Sequence, residues 1–375
     1  MASILILLVL LHAYIGWRLI PALAFAPVLQ WLLAALLVLM CLLMPLSLLA
    51  RRIRTQPLSD RLAASGVLAM GLFSSLFVLT LLRDVLAVPV WVAAFWLSWP
   101  AWLAPASALA VLLLAVLATL WGYLNARRTA RVVRVDVPIE GLPQALHGFS
   151  IAQLSDLHVG PTIKRGYVEA VVARTNALQA DMVAITGDLV DGSVQHLAVH
   201  VAPLAALRSR HGTFFVTGNH EYYCGAQPWV DELRRLGLRV LMNEHVLLQH
   251  GDAALALAGV TDYGAHNFDA TQRSDPQAAI ADAPAHARVR VLLAHQPRSA
   301  GAAARSGFHL QLSGHTHGGQ FLPWKWFVRL QQPFTAGLHR WQHMWVYTSR
   351  GTGYWGPPKR LGAPSEITHL RLVSA

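Results

Sequence analysis

The sequence predicts an α/β domain preceded by an all-α transmembrane region of about four helices. The first 126 residues consist mainly of apolar runs that are long enough to cross a bilayer. Residues 127–375 contain shorter apolar runs typical of buried strands, and polar motifs follow five of them. The composition, 55% hydrophobic and 13% charged over 375 residues, is too apolar for an ordinary soluble protein.

Four apolar runs in the first region are candidate membrane spans, because a spanning helix needs about twenty apolar residues. They are Ser3 to Ala22, Val28 to Ala50, Leu62 to Leu82 and Ala106 to Tyr123. A cleavable signal peptide is the alternative for the first run, since Ala22-Leu23-Ala24 resembles a cleavage site, but the run has no positive n-region. The Trp-rich stretch Val88 to Leu103 contains two prolines and is predicted to be interfacial or re-entrant.

Basic residues predict the orientation of these helices, because positively charged loops stay in the cytoplasm. One cluster precedes the third span and the other follows the fourth: Arg51, Arg52, Arg54 and Arg61, then Arg127, Arg128, Arg131 and Arg134. We therefore expect a multi-pass protein of the inner (cytoplasmic) membrane with residues 127–375 facing the cytoplasm. The net charge of +11 suits a protein lying on anionic lipid. It is too diffuse to indicate a nucleic-acid partner.

In the second region, polar residues follow each of five short predicted strands. The strands are Phe149 to Leu154, Met182 to Thr186, Phe214 to Thr217, Val289 to Ala294 and Leu310 to Leu312. The motifs that follow them are, in the same order, Asp156-Leu157-His158, Gly187-Asp188-Leu189-Val190-Asp191, Gly218-Asn219-His220-Glu221, His295 and Gly314-His315-Thr316-His317. Helices are predicted between strands at Arg165 to Leu178 and Pro228 to Leu236. Because sites in α/β sheets form outside the carboxyl ends of strands, these polar side chains are expected to lie together.

These residue types are the ones that bind divalent metals at hydrolytic sites, where two ions need a carboxylate that bridges them. A single Asp-x-His or His-x-His occurs by chance in many chains, whereas the ordered set is specific. Five of the 18 histidines fall in the motifs, and we interpret the others as surface or core residues. We interpret Asp252, Asp262 and Asp269 as solvated loop carboxylates.

The five motifs resemble the signature of the calcineurin-like metallophosphoesterase superfamily: D-x-H, G-D-x-x-D, G-N-H-[ED], H and G-H-x-H. The resemblance covers roughly residues 131–375, and Ser349 to Ile367 is similar to the closing segment of its membrane-attached bacterial branch. It implies a four-layer α/β/β/α sandwich of mixed sheets. It also implies two metal sites, one formed by Asp156, His158, Asp188 and His317 and the other by Asp188, Asn219, His295 and His315, with Asp188 as the bridge.

The resemblance further implies a metal-dependent phosphoric ester hydrolase, with a phosphodiesterase favoured. In such enzymes, hydroxide made available by the two ions near neutral pH attacks phosphorus in line. His220 would protonate the leaving oxygen or stabilise the developing charge, with Asp191 holding its ring. Glu221 fits a loop brace as well as a substrate contact. Carboxylate, amide and imidazole ligands suit Mn, Fe and Zn alike, and Mn is expected from the resemblance.

The stretch Gly318 to Phe327 is the part of the sequence that indicates a class of substrate. Its aromatic residues and Lys325 resemble a membrane-interface anchor or a wall for acyl chains, and ordinary packing on the domain is the alternative. A lipid contact there would favour a phosphodiester or pyrophosphate bond in a lipid or a lipid-linked nucleotide. Two further functions stay open: a phosphoesterase of soluble nucleotides or phosphoproteins, and a non-catalytic metal-binding membrane scaffold.

Overall fold

A computed structural model describes residues 2–23, 26–50, 53, 55–93 and 100–375. The chain divides into two compact units. The helical unit comprises Met1–Leu124 and Gly356–Lys359, and the sandwich unit comprises Asn125–Trp355 and Arg360–Ala375. The boundary predicted between residues 126 and 127 stays a prediction.

The helical unit is built on four apolar helices. They are α1 (Ala2–Leu19), α2 (Pro27–Leu49), α3 (Gln56–Ala93) and α4 (Leu103–Arg127). Each is long and apolar enough to cross a membrane, and their positions agree with the four predicted spans. Because α3 continues to Ala93, the beginning of the stretch predicted to be interfacial belongs to that helix. Residues 94–99 and the predicted basic residues Arg51, Arg52 and Arg54 lie outside the described residues.

Close packing and one ion pair join helices within this unit. A Cβ at Gly66 on α3 would lie 2.3 Å from Ser47 Cβ on α2, so only glycine permits this approach. Asp84 on α3 accepts hydrogen bonds from Tyr14 Oη at 2.6 Å and Arg18 Nε at 2.7 Å on α1. This pairing explains why α3 continues beyond the predicted apolar run, which ended at Leu82. The charge of the Asp84 carboxylate is balanced by hydrogen-bond donors on α1.

In the described part of the sandwich unit, strands form two mixed sheets of six. In sheet order, the first contains β1 (Arg131–Ile139), β12 (Glu366–Ser374), β2 (Ser150–Leu154), β3 (Met182–Thr186), β4 (Thr213–Val216) and β5 (Arg239–Val240). The second contains β10 (Gly337–Trp341), β11 (Met344–Thr348), β9 (Leu310–Ser313), β8 (Val289–Leu293), β7 (Ala253–Gly259) and β6 (Glu244–His250). The five strands predicted from apolar runs are β2, β3, β4, β8 and β9.

The two sheets pack face to face over a buried apolar core that includes Ile151, Phe214 and Leu293. Three helices cover the outer face of the first sheet: α5 (Arg165–Asn176), α6 (Val194–Val201) and α8 (Ala226–Arg235). Two cover the second: α9 (Pro276–Ile280) and α10 (Ala300–Arg305). Two further helices are short: α7 (Asn219–Cys224) begins within the third motif, and α11 (Lys325–Val328) follows the fifth. The layers form the expected α/β/β/α sandwich, and the helices predicted after the first and third motifs are α5 and α8.

The strands that precede the motifs share a direction. β2, β3 and β4 are parallel in the first sheet, and β8 and β9 are parallel in the second. We call the side where these five strands end the carboxyl edge. The chain enters the sandwich unit at this edge, because Arg131 at the start of β1 pairs with Glu366, and β12 runs antiparallel to β2 with Thr368 opposite Gln153.

Candidate metal centre

The backbone turns sharply where the motifs begin. Five of the seven predicted ligands have a positive φ: Asp156 (54°), His158 (50°), Asp188 (51°), His315 (69°) and His317 (52°). Non-glycine residues seldom adopt this left-handed conformation, and such strain concentrates at functional sites. The turns direct side chains from both sheets toward the carboxyl edge.

One group of candidate ligands consists of Asp156, His158 and His317, all buried. The Nε2 atoms of His158 and His317 lie 3.1 Å apart, and His317 Nε2 lies 3.4 Å from Asp156 Oδ1. Ligand atoms bound at about 2.1 Å in tetrahedral or octahedral geometry are about 3.0–3.4 Å apart. The spacing therefore suits a bound cation.

A second group consists of Asp188, His295 and His315. His295 Nε2 lies 3.2 Å from both Asp188 Oδ2 and His315 Nδ1. The other ring nitrogen of His295 donates to the Thr186 carbonyl at 2.7 Å, which directs Nε2 toward the centre. The geometry again matches the edges of a coordination shell.

Asp188 lies between the two groups. Its Oδ2 is 3.2 Å from His295 Nε2 in one group and 3.8 Å from His158 Nε2 in the other. Its Oδ1 accepts the backbone N–H of His220 at 2.8 Å, which fixes the carboxylate. One oxygen therefore faces both groups, as a bridging ligand requires.

Asn219 supplies an independent test of whether a cation fits. Its buried Oδ1 atom has no hydrogen-bond partner among the described residues. A buried, unpaired amide oxygen is costly, and a cation ligated by that oxygen removes the cost. The residue predicted to complete the second group thus presents the atom that a metal would bind.

The electrostatics of the cluster also favour added positive charge. Burial would lower the pKa of His158, yet Asp191, Asp188 and Asp156 raise it to about 9. Burial, together with the charge of Asp188, raises the pKa of Glu221 to about 7. The buried carboxylates therefore draw protons onto the cluster, and divalent cations can supply that charge instead.

Two histidines of the cluster are poised as neutral ligands. Burial lowers the pKa of His315 to about 3 and that of His317 well below its ordinary value. Their rings are uncharged at neutral pH, which is the form that coordinates a metal.

Asp191 orients two rings with one oxygen. Asp191 Oδ1 lies 2.9 Å from His158 Nδ1 and 2.7 Å from His220 Nδ1. Each ring then directs Nε2 inward, and His220 Nε2 lies 4.0 Å from Asp188 Oδ2. The sequence predicted the contact with His220 but missed the one with His158, because no spacing rule links residues that meet only in the folded sheet.

Glu221 braces the loops of the centre. Its buried carboxylate accepts backbone N–H groups from Gly218 at 2.6 Å, Leu189 at 2.8 Å and Asp188 at 3.0 Å. It therefore ties the second motif to the third. Of the two roles considered from the sequence, the geometry favours the brace.

Two other residues depart from the sequence interpretation. Asp262 was interpreted as solvated, which is wrong: it is buried and accepts hydrogen bonds from Gln296 Nε2 at 3.0 Å and the Gly264 N–H at 2.7 Å. Arg360, given no role from the sequence, is buried and donates to the His317 carbonyl at 2.9 Å. Arg360 lies within Ser349 to Ile367, the stretch that is similar to the closing segment of the family's membrane-attached bacterial branch. That similarity was the only feature of the sequence that could have indicated a role for Arg360.

Aromatic side chains form the rim of the centre. The ring centroids of Tyr223 and Trp355 lie 5.2 Å and 5.8 Å from that of His220. Phe268 lies 5.6 Å from Tyr223, and all three aromatic side chains are exposed. The centre therefore opens onto a surface that can contact an apolar or flat group of a substrate.

Comparison with known proteins is consistent with this site. A family model described as "Calcineurin-like phosphoesterase" matches residues 149–319. The chain is 38% identical over 266 residues to an uncharacterized metallophosphoesterase of Helicobacter pylori, covering 69% of each chain. It is 33% identical over 239 residues to one of Aquifex aeolicus, covering 63% of this chain and 89% of that one.

Animal proteins are similar as well. The chain is 41% identical over 280 residues to a Bos taurus protein named "Transmembrane protein with metallophosphoesterase domain", covering 72% of this chain and 62% of that protein. A Danio rerio protein of the same name is 37% identical over 281 residues, with 71% and 62% covered. The chain thus spans about 62% of the length of these animal relatives.

We predict that Asp191→Asn weakens metal binding at the group containing His158. Loss of the charge that orients the ring should lower affinity about 10–100-fold, as for other residues that position a ligand. Metal titration of the full chain in detergent, followed by calorimetry, measures this. Asp136→Asn, at an exposed pair with Arg371, is the matched control. Unchanged affinity in Asp191→Asn would show that Asp191 does not support the metal centre.

Proposed function

Because the chain belongs to the calcineurin-like metallophosphoesterase family, we propose that it is a membrane-anchored dinuclear-metal phosphoesterase. It hydrolyses a phosphodiester or pyrophosphate bond, and its substrate is a lipid or a lipid-linked nucleotide. The observation that carries the proposal is that two groups of candidate ligands meet at one carboxylate, Asp188. His220, which belongs to neither of these two groups, lies beside that carboxylate.

Residues of both sheets hold the metals in this proposal. The ligands are Asp156, His158 and His317 for one ion and Asn219, His295 and His315 for the other, with Asp188 shared. Two divalent ions held by these residues would supply a hydroxide nucleophile near neutral pH and would stabilise negative charge on the phosphoryl oxygens. Mn is the expected metal, and the donor set also suits Fe and Zn.

His220 donates a proton to the leaving oxygen. Asp191 accepts the hydrogen bond from Nδ1 at 2.7 Å, so Nε2 points toward the centre. The hydrogen bond to Asp191 fixes the ring of His220, so that Nε2 is positioned for proton transfer to the departing alkoxide. Asp191 acts through the ring and is a positioning residue.

Chain connectivity supports a membrane phosphoester as the substrate. The sandwich unit meets the helical unit in sequence after Leu124, after Trp355 and before Arg360. Trp355 contacts the ring of His220, and Arg360 donates to the carbonyl of His317. The two sandwich-unit residues that flank Gly356–Lys359 in the sequence therefore lie beside the centre.

The same connectivity and the arginine distribution support a cytoplasmic active site at the inner membrane. Arg127 ends the fourth helix, Arg128 follows it, and Arg61 lies near the start of the third. Because the third and fourth helices are successive candidate spans, the start of the third and the end of the fourth belong to the same side of a membrane, and both carry exposed basic residues. Relatives from Bos taurus and Danio rerio are themselves named transmembrane proteins.

We predict that the full chain in detergent hydrolyses phosphodiesters when Mn is added and that Asp188→Asn abolishes this activity. His220→Ala should reduce hydrolysis of an alkyl phosphodiester about 10²–10⁴-fold, the range for loss of general acid catalysis. It should affect a p-nitrophenyl ester much less, because p-nitrophenolate leaves without a proton. Steady-state rates with both esters measure this.

His286→Ala is the control for that assay, because His286 is an exposed histidine outside the motifs. Equal losses on the two esters would reject His220 as the acid. If metal binds stoichiometrically and no ester is hydrolysed by the unmodified chain, the result would favour the non-catalytic scaffold.

We predict that Trp355→Ala selectively weakens lipid substrates. Removing an apolar surface beside His220 should raise KM for a phospholipid-derived diester about tenfold, equivalent to roughly 1.4 kcal/mol, and leave KM for a small soluble diester nearly unchanged. Trp341→Ala, at the tip of the hairpin between β10 and β11, is the control. If KM rises equally for both substrates, or if soluble nucleotides are hydrolysed far faster than any lipid, the proposed substrate class is wrong.

A further inference from the structure

The residues that follow the last metal-ligand motif expose an unusual amount of aromatic surface. We call residues 322–330 the aromatic segment. Trp326 is 67% exposed, Phe327 54% and Leu330 82%, and Leu322 and Trp324 are also exposed. Ordinary packing on the domain, one of the interpretations of this stretch from the sequence, is therefore wrong for these side chains. Large apolar side chains grouped on a surface indicate an interaction site.

The aromatic segment combines apolar and basic faces. The helical turn of α11 continues beyond Val328, because the Gln332 N–H donates to the Val328 carbonyl at 3.0 Å. Trp326 and Leu330 are four residues apart and share one face, and Lys325 and Arg329 share the adjacent face. The segment contains two basic residues and no acidic one. Tryptophan beside lysine and arginine is the pattern of protein surfaces at the headgroup level of a bilayer.

Leu322 at the start of the aromatic segment and Gln331 directly after its end are both held at the carboxyl edge. Leu322 N–H donates to the Leu361 carbonyl at 3.2 Å, and Arg298 Nε donates to the Gln331 carbonyl at 2.7 Å. Thr316, between two of the metal-ligand histidines, donates to the Thr335 carbonyl at 2.6 Å. The segment therefore lies at the edge through which the chain enters the sandwich unit from α4.

We propose that the aromatic segment binds the headgroup layer of the bilayer that α1–α4 span, with a preference for anionic phospholipid. The candidate spans and the sandwich unit belong to one covalent chain, so a weak interface is sufficient for this contact. Trp326, Phe327 and Leu330 enter the interfacial layer, and Lys325 and Arg329 bind lipid phosphates. The proposal concerns binding and is independent of hydrolysis.

Photo-crosslinking of the full chain in nanodiscs tests this contact. The photoreactive residue p-benzoylphenylalanine replaces Trp326 or Leu330, and lipid adducts are counted by mass spectrometry after irradiation. The control replaces Trp341, another exposed tryptophan, because the hairpin tip lies at the amino end of β11, away from the carboxyl edge. Nanodiscs contain phosphatidylcholine alone or with phosphatidylglycerol.

The expected result is at least tenfold more lipid adduct at positions 326 and 330 than at 341, rising severalfold with phosphatidylglycerol. Asp188→Asn should give the same adducts, which separates this proposal from the proposed function. Replacing Lys325 and Arg329 together by Glu should remove the dependence on phosphatidylglycerol. Adducts no more frequent than at 341, or adducts to a second copy of the chain in place of lipid, would overturn the proposal.

Discussion

The structure depends above all on negative charge that is buried at one edge of the sandwich. Asp156, Asp188 and Glu221 are essentially inaccessible to water, and a fourth carboxylate, Asp191, lies 2.9 Å from the Nδ1 atom of His158. Placing carboxylates in such an environment costs several kcal/mol each unless donors and positive charge compensate them. Backbone N–H groups donate to Glu221, to Asp156 and to one oxygen of Asp188, and His158 and His295 lie beside the other oxygen of Asp188. The remaining demand for positive charge is what suits the cluster to divalent metals.

Glycines make this density of ligands sterically possible. A Cβ at Gly218 would lie 2.3 Å from Asp188 Oδ1, and a Cβ at Gly314 would lie 2.1 Å from Asp156 Oδ2. Gly187, with φ of +85°, could not carry a side chain without meeting the backbone of Gly218. In the three motifs that contain a glycine, this residue therefore allows a neighbouring strand end to approach, and a candidate ligand follows it directly. Strained backbone at the ligands is the energetic cost of that approach.

Much of this could be predicted from the sequence, because strands and spans have strong local signals. Apolar runs located β2, β3, β4, β8 and β9, and run length located the four helices. What the sequence did not predict depends on partners far apart in the chain. Asp262 is buried because Gln296 lies beside it, and α3 extends past Leu82 because Arg18 and Tyr14 compensate Asp84. The exposure of the aromatic segment likewise follows from how its two ends are fixed.

The shared carboxylate is the central claim, and the electron paramagnetic resonance spectrum of the Mn-loaded full chain tests it most directly. Two ions that share Asp188 should be magnetically coupled, so we expect about two Mn per chain and the spectrum of a coupled pair. In Asp188→Asn, the coupled signal should disappear. One Mn per chain with the spectrum of an isolated ion would contradict the account, because the two ligand groups would then form a single site.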